Sequence, residues 1–559
     1  MEVFEAPPPH KTIIDDALPL SCTFETYRLV DRHIEYVIRV QRGYYNGKHW
    51  TVFKRYNDFV ALDKEIEARR YDIELPPKKI FGNFDREFIV QRQNKLQKYM
   101  NQVLENLILS SSVWVKRFLD PENYCESFQD SALQYASMAL RGKPDFHNLK
   151  PLPYIGWRFK KHYCSVKRYN EAKREYILTW ISEYGPNRCL SDKELQSTFK
   201  VFLDLQHPFI IPIVTGNCYS SGTLIIRSNC VRGSLRELIY DRAPFDSFIR
   251  KCSYRSERIL LPSDAIYTIA IQVLHALVYL HQKGIPYGNL HSGNIFIEDD
   301  VAKISDVENG IFGLTSIYQS YLVENRRVHS MEDIDVYCFG HVLYEMVFGE
   351  RLQSPFCDMI PPDCDENLKP ILELILSSSP KSKLPSVKAI LSTAVFDVSA
   401  SNIVLNEPPR CKVTTSTKEF LGRCRKTIED RMHKEQNELR KLRKITYLKE
   451  QMKIEEQNGS ISSREKRKMK RVKSQVPLTA SSPEQFENMS NGSTPTSVST
   501  ESSFRNSSCD KLSENPPEVR ATPPSSAPTP VSDERNVFLQ SIVNFNKGNL
   551  KQTKAKEAR

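Results

Sequence analysis

The stretch Lys54-Arg55-Tyr56-Asn57-Asp58-Phe59 sets a basic pair, an aromatic and an acid at the end of a strand-like run. Just upstream, His33 to Val40 alternates with period two, with Ile34, Tyr36, Ile38 and Val40 on one face and His33, Glu35 and Arg39 on the other. That pattern predicts a half-buried strand. Gly43 to Gly47 is a turn-rich tip, Trp50 to Phe53 reads as a partner strand, and Phe59 to Glu67 shifts to helical spacing. The basic pair therefore falls at a strand-to-helix corner. Downstream, Pro76-Pro77-Lys78-Lys79 is a stiff extended segment that cannot join a sheet interior and holds its lysines on a loop. A helix over about Phe84 to Leu107 follows; it carries Arg92 and turns Phe88, Leu96, Tyr99 and Val103 inward.

Strand, Arg-Tyr corner, Pro-Lys loop and Arg-bearing helix, in that order, resemble the Phox homology (PX) domain over roughly residues 12–125. The resemblance implies a three-stranded antiparallel sheet with helices and a phosphoinositide site. In that site Arg55 would grip the 3-phosphate, Tyr56 would stack under the inositol ring, Lys78 would meet the 1-phosphate and Arg92 the ring hydroxyls. The chemistry suits those roles, because the planar guanidinium fork matches two phosphate oxygens and charged hydrogen bonds contribute about 1.5–3 kcal/mol each. Any one of these residues alone reads more simply as part of a solvated basic loop; four in order favour the lipid. Ile80 and Phe81, beside the lysine loop, suit either insertion into a bilayer or burial in the core.

The 559 residues suffice for three or four units, at roughly 150 residues per domain. The net charge of +11 is concentrated: residues 411–473 hold 20 basic against 9 acidic residues, which leaves the rest of the chain neutral. A general nucleic-acid-binding surface is therefore not expected. The 13 cysteines form no Cys-x-x-Cys pair and no zinc-type cluster, so a reducing cytosolic setting fits. Residues 1–11 do not read as a secretory signal, and the most apolar run, Ala265 to Leu280, is broken by Thr268, Gln272 and His275. Membrane contact is expected to be peripheral.

Residues 126–150 read as a linker with a short helical stretch, Ser131 to Leu140, closed by Arg141-Gly142-Lys143-Pro144. Over 151–400 the pattern is that of a large mixed α+β domain. Short strand-like runs (Tyr176 to Trp180, Leu224 to Arg227) precede a helix, Ala265 to His281, that ends at Gly284. Tyr287-Gly288-Asn289-Leu290-His291-Ser292-Gly293-Asn294 follows, then Ile304-Ser305-Asp306-Val307-Glu308 and a helix containing Asp335. In order and spacing this resembles the C-terminal lobe of a protein kinase. The resemblance implies a bilobal fold with Asn294 and Asp306 in the two metal-holding positions, hence possible ATP and magnesium binding.

The departures decide what the domain is expected to do. Phosphoryl transfer needs a carboxylate to orient and accept the substrate proton, and Asn289 stands in that catalytic position. An amide is no general base, and such a base is worth about 10²–10⁴ in rate. No Gly-rich motif lies between Pro151 and Arg174, Tyr176 to Trp180 carries no lysine, Thr198 stands where a partner Glu is expected, and Glu308 replaces the glycine after Asp306. No catalytic residue is therefore assigned. Taken alone, Asn294 and Asp306 are also ordinary turn and loop residues.

Beyond Ser399, residues 411–473 predict a basic helical segment with Leu439, Leu442, Ile445, Leu448 and Met452 on one stripe, either solvated or paired in a coiled coil. Arg464 to Lys473 packs seven basic residues against one Glu and suits an anionic membrane leaflet and nuclear import equally. Residues 474–534 contain 30 Ser, Thr or Pro among 61 and predict a largely disordered linker. In 535–556, Val537, Phe538, Leu539, Ile542 and Phe545 form an apolar helical face, followed by Leu550-Lys551-Gln552-Thr553. This resembles the actin-binding WASP homology 2 motif, which implies that Phe538, Leu539, Ile542, Phe545, Leu550, Lys551 and Thr553 meet an actin monomer. The bland alternative is a tail with chance hydrophobics.

The whole order resembles the PX domain-containing, serine/threonine kinase-like family. That resemblance implies a cytoplasmic adaptor, peripheral at endosomal and plasma membranes, acting on the trafficking of membrane-protein cargo and on ion-pump subunits. The alternative is an atypical active Ser/Thr protein kinase recruited by its PX domain.

Overall fold

The computed structural model describes residues 14–458 apart from 46, 79–83, 125–127, 172, 183, 254–259, 380–382 and 397–408. The expectations on Ile80, Phe81, the basic block 464–473, the Ser/Thr/Pro-rich stretch and the actin motif lie outside the described residues.

The first sheet is antiparallel in the order β1 (Leu20–Val30), β2 (His33–Arg42), β3 (Lys48–Arg55). The predicted alternation holds, with Tyr36, Ile38 and Val40 buried on one face of β2. That face meets Phe59 and Leu62 of the helix Tyr56–Ile66 and Leu96, Tyr99 and Val103 of the helix Arg86–Glu105. Phe24, Tyr36, Phe59 and Phe118 pack ring on ring at 4.9–6.5 Å, so this core is largely aromatic.

A second antiparallel sheet runs β4 (Phe146–Leu152), β5 (Lys161–Arg168), β6 (Glu175–Ile181), β8 (Gly222–Ser228), β7 (Thr215–Tyr219). One face holds the helix Asp192–Leu203. The stretch expected to be a linker in fact contributes to this lobe. The helix Phe128–Leu140 buries Ala132, Ala136 and Leu140 against Cys164, Val166 and Leu178, and β4 begins at Phe146. The third sheet is the hairpin β9 (Ile295–Glu298) and β10 (Val301–Ile304). It lies in a helical lobe built on Ser263–Lys283 and Met331–Phe348, the latter buried on nearly every face. Gly284 ends the first of these at φ 71, a left-handed conformation that costs glycine least. Ser263–Lys283 is the one helix among the described residues long and apolar enough to cross a membrane, yet ten of its residues are buried in this lobe's core.

The basic helix spans Thr415–Asn458, and its first half is not free-standing. Leu421, Cys424 and Met432 are buried, Gln436 donates to the carbonyls of Asn325 and Val328, and Arg423 pairs with Glu194. Further along, Arg431 bridges to Asp15 at 2.9 Å, joining this helix to the chain just before β1.

Candidate functional site

Two sites emerge, one at the end of β3 and one between the two lobes of the larger domain. At the first, Arg55 caps the helix Tyr56–Ile66: its backbone N–H donates to Asp58 Oδ2 at 2.9 Å, and its half-exposed side chain faces Asp58 Oδ1 at 3.4 Å. Tyr56 donates its hydroxyl to the carbonyl of Pro76 at 2.5 Å, which ties the corner to the proline loop that presents exposed Lys78. Arg92 is buried, its guanidinium 4.5 Å from the Tyr56 ring and 4.2 Å from Phe88. Tyr56, Arg92 and the Pro76–Lys78 loop are thus brought together around one corner, with Arg55 beside them at the surface. The Arg55–Asp58 pair is solvent-exposed, and such pairs are worth at most about 1 kcal/mol. A phosphate can exchange for Asp58 at little cost.

The second site is a cavity of about 150 Å³ lined by Thr179, Arg227, Asn289, Asn294 and Asp306 among others. The loop after Tyr287 is held from below: Asp335 accepts from the Gly288 N–H at 2.8 Å and meets His281 Nε2 at 2.8 Å. Asn294 donates to the Asn289 carbonyl at 2.9 Å, and Asp306 sits at φ 60. Asn289, Asn294 and Asp306 therefore share one cleft, as the resemblance implied.

Sequence reasoning missed the cations of this cleft. Lys161, at the start of β5, is buried and donates to Asp306 Oδ2 at 2.5 Å and to Asn309 Oδ1 at 3.1 Å. It comes from the strand next to the one that lacks a lysine; in register it faces Ile181, and Thr179 of β6 lines the cavity. Arg227 at the end of β8 binds Glu308 at 2.6 Å and lies 3.7 Å from Asp306. Arg158, in the loop where glycines were sought, donates to Asn289 Oδ1 at 3.1 Å and to the Thr315 carbonyl. The only advance signal was the period-two alternation that puts Lys161 and Tyr163 on one face of their strand.

The electrostatics follow from burial and pairing. Burial pushes the Asp306 carboxyl up, but Lys161 and Arg227 outweigh it and hold the group down at about 2. Burial lowers Lys161 despite Asp306, and brings Arg158 down to about 10. Burial together with neighbouring arginines keeps His291 neutral. Asp306 and Glu308 thus already have cationic partners, and Asn289 already has a donor on its oxygen. A magnesium ion at Asp306 and Asn294 would have to share the Asp306 carboxylate with Lys161 on Oδ2 and would sit close to the Arg227 guanidinium, 3.7 Å from Oδ1. Among the described residues, no group of three or more His, Cys, Asp or Glu is gathered to hold a metal.

The lipid-type corner and the kinase-type cleft define a PX domain joined to a protein kinase-like domain. The family models agree: PX domain matches residues 43–122 and Protein kinase domain residues 166–442, the latter taking in the first half of the basic helix. Over 449 residues the chain is 37% identical to the PX domain-containing protein kinase-like protein of Mus musculus, covering 80% of this chain and 76% of that one. The chain belongs to the PX domain-containing protein kinase-like family. It is also 31% identical over 232 residues to the Slowpoke-binding protein of Drosophila melanogaster, covering 39% of this chain and 44% of that one. To the probable inactive serine/threonine-protein kinase slob1 of Dictyostelium discoideum it is 28% identical over 306 residues, covering 49% of this chain and 51% of that one.

Proposed function

We propose that this protein is a non-catalytic adaptor, recruited to membranes by a 3-phosphorylated phosphoinositide at Arg55, Tyr56, Lys78 and Arg92. One observation carries the non-catalytic half: the carboxylate needed for phosphoryl transfer is the amide of Asn289, and Arg158 occupies its oxygen. A general base there would be worth about 10²–10⁴ in rate. The self-paired charges around Asp306 add a second obstacle, since ATP and its magnesium would compete with Lys161 and Arg227 for that carboxylate. The names of relatives, kinase-like or probable inactive kinase, point the same way. A relative named for binding Slowpoke supports a protein partner for the kinase-like domain. Endosomal and plasma-membrane residence, trafficking of cargo and modulation of ion-pump subunits rest on the family resemblance.

For the lipid arm, Arg55→Gln should abolish sedimentation of the full chain with vesicles containing phosphatidylinositol 3-phosphate and leave circular dichroism unchanged. Undiminished sedimentation refutes the site. For the tail, Leu550→Ala with Lys551→Ala should weaken binding to monomeric actin. An unaltered titration dismisses the motif.

A second reading, an atypical kinase, draws on Lys161. Its ammonium, 2.5 Å from Asp306, could serve a triphosphate from a neighbouring strand. A magnesium-dependent rise in melting temperature with ATP, lost in Lys161→Met, shows that nucleotide enters the cleft; magnesium-dependent phosphate transfer lost in the same variant separates the atypical kinase from the adaptor.

A further inference from the structure

Between the PX domain and the kinase-like domain lies a second cavity of about 450 Å³, inside the range of ligand pockets, about 300–1,000 Å³. Its walls are aromatic and come from both sides. Trp114 of the PX domain stands 5.4 Å from Tyr154, and Trp157 and Phe159 continue the surface. Among the basic lining residues, Lys161 and Arg158 are committed to the kinase-type cleft and Arg250 to Glu67, which leaves Lys64 and Arg117 to meet an acidic segment. His162 also lines it; its Nε2 is buried without a hydrogen-bond partner, and burial pushes the ring down to about 4, so it is neutral at pH 7.

The described chain begins close to this cavity. Asp16 lies 3.3 Å from the Lys116 ammonium, which stands 5.7 Å from the ring of Phe159, a lining residue. Its charge also acts on Arg158. Residues 1–13 read Met-Glu-Val-Phe-Glu-Ala-Pro-Pro-Pro-His-Lys-Thr-Ile, with Glu2 and Glu5 for the basic lining and three consecutive prolines for the aromatic one. Three prolines favour the polyproline II conformation, at about 3.1 Å per residue with no internal hydrogen bonds, so the carbonyls are free to accept. Aromatic-lined grooves take such segments at low entropic cost.

We propose that this inter-domain cavity is a docking site for an acidic, proline-rich segment, and that its occupant is residues 2–11 of the same chain. The segment would bridge the PX domain and the kinase-like domain in cis. A partner carrying a similar sequence would have to compete with it.

The test uses the chain lacking residues 2–12 and a fluorescein-labelled peptide of residues 1–13, followed by anisotropy. The peptide binds the shortened chain and binds the full chain at least tenfold more weakly, because the tethered copy holds the site. Trp157→Ala lowers binding to the shortened chain at least tenfold. In case that variant fails to fold, peptides carrying Pro7, Pro8 and Pro9→Gly, or Glu2→Lys with Glu5→Lys, titrate the unaltered shortened chain and lose at least tenfold. Equal binding to both chains, no binding, or full affinity of the altered peptides overturns the proposal. So does preferential binding of a peptide of residues 514–531, the proline-rich part of the tail.

Discussion

At Asp306 two opposite expectations meet. Read as a metal ligand, it matters for catalysis; paired with Lys161 and Arg227, it matters for folding. Removing one partner of a buried ion pair leaves uncompensated charge, at a cost of about 3–5 kcal/mol. Asp306→Ala should therefore lower the unfolding free energy of the full chain by about that amount, measured by denaturant titration with no nucleotide present. A neutral result would mean that the pairs are not formed in solution. The residues legible from sequence were those with a fixed place along the chain: Asn289, Asn294 and Asp306 follow one another at recognisable spacing. Lys161, Arg158 and Arg227 were not, because each reaches the cleft from a different element: the pairing of β5 with β6 and of β6 with β8 brings Lys161 and Arg227 together, and Arg158 arrives from the loop before β5. The same holds at the lipid corner, where Arg92 meets Tyr56 through tertiary packing, although its helix was expected.

Elements with a strong internal period were legible in the sequence; the docking of helices whose apolar partner is remote was not. β2 and the helix Ser263–Lys283 declared themselves by alternation and by Gly284. The helical stretch expected at Ser131 to Leu140 is present as Phe128–Leu140, but it offers only Ala132, Ala136 and Leu140 to a distant sheet, too sparse a face to show that it docks there. The basic helix concealed its docked half because Leu421, Cys424 and Met432 are widely spaced among charges. The helix Met331–Phe348 carries a pH liability. His341 is fully buried among Tyr318, Tyr321 and Tyr337, both ring nitrogens lack a partner, and burial followed by the charge of Arg351 pushes the ring down to about 3 from an ordinary 6.5. The unfolded chain takes up this proton as pH falls through 6.5 and the folded chain does not. The contribution is therefore whole above pH 6.5 and is lost as pH falls toward 3. Burial lowers His162 and His207 to about 4 and adds to the same trend. Melting temperature should drop between pH 7 and pH 5, and by less in His341→Phe; equal drops would show that His341 does not titrate in that way.

Across the whole molecule, the PX domain is joined to the kinase-like domain by specific bonds. Glu67, just past the helix that Arg55 caps, pairs with Arg250 at 2.7 Å, Tyr71 donates to the Ile249 carbonyl at 2.5 Å, and Asp15 meets Arg431 of the basic helix. A lipid-bound PX domain would therefore present the kinase-like domain to the membrane in a set orientation, which suits an adaptor. On the proposed function, recruitment serves binding and not phosphorylation. The direct measurement is transfer of the ATP γ-phosphate, with magnesium, by the full chain on vesicles containing phosphatidylinositol 3-phosphate, using Lys161→Met as control. The account predicts transfer no greater than that of the control; transfer that requires magnesium and disappears in Lys161→Met would contradict it.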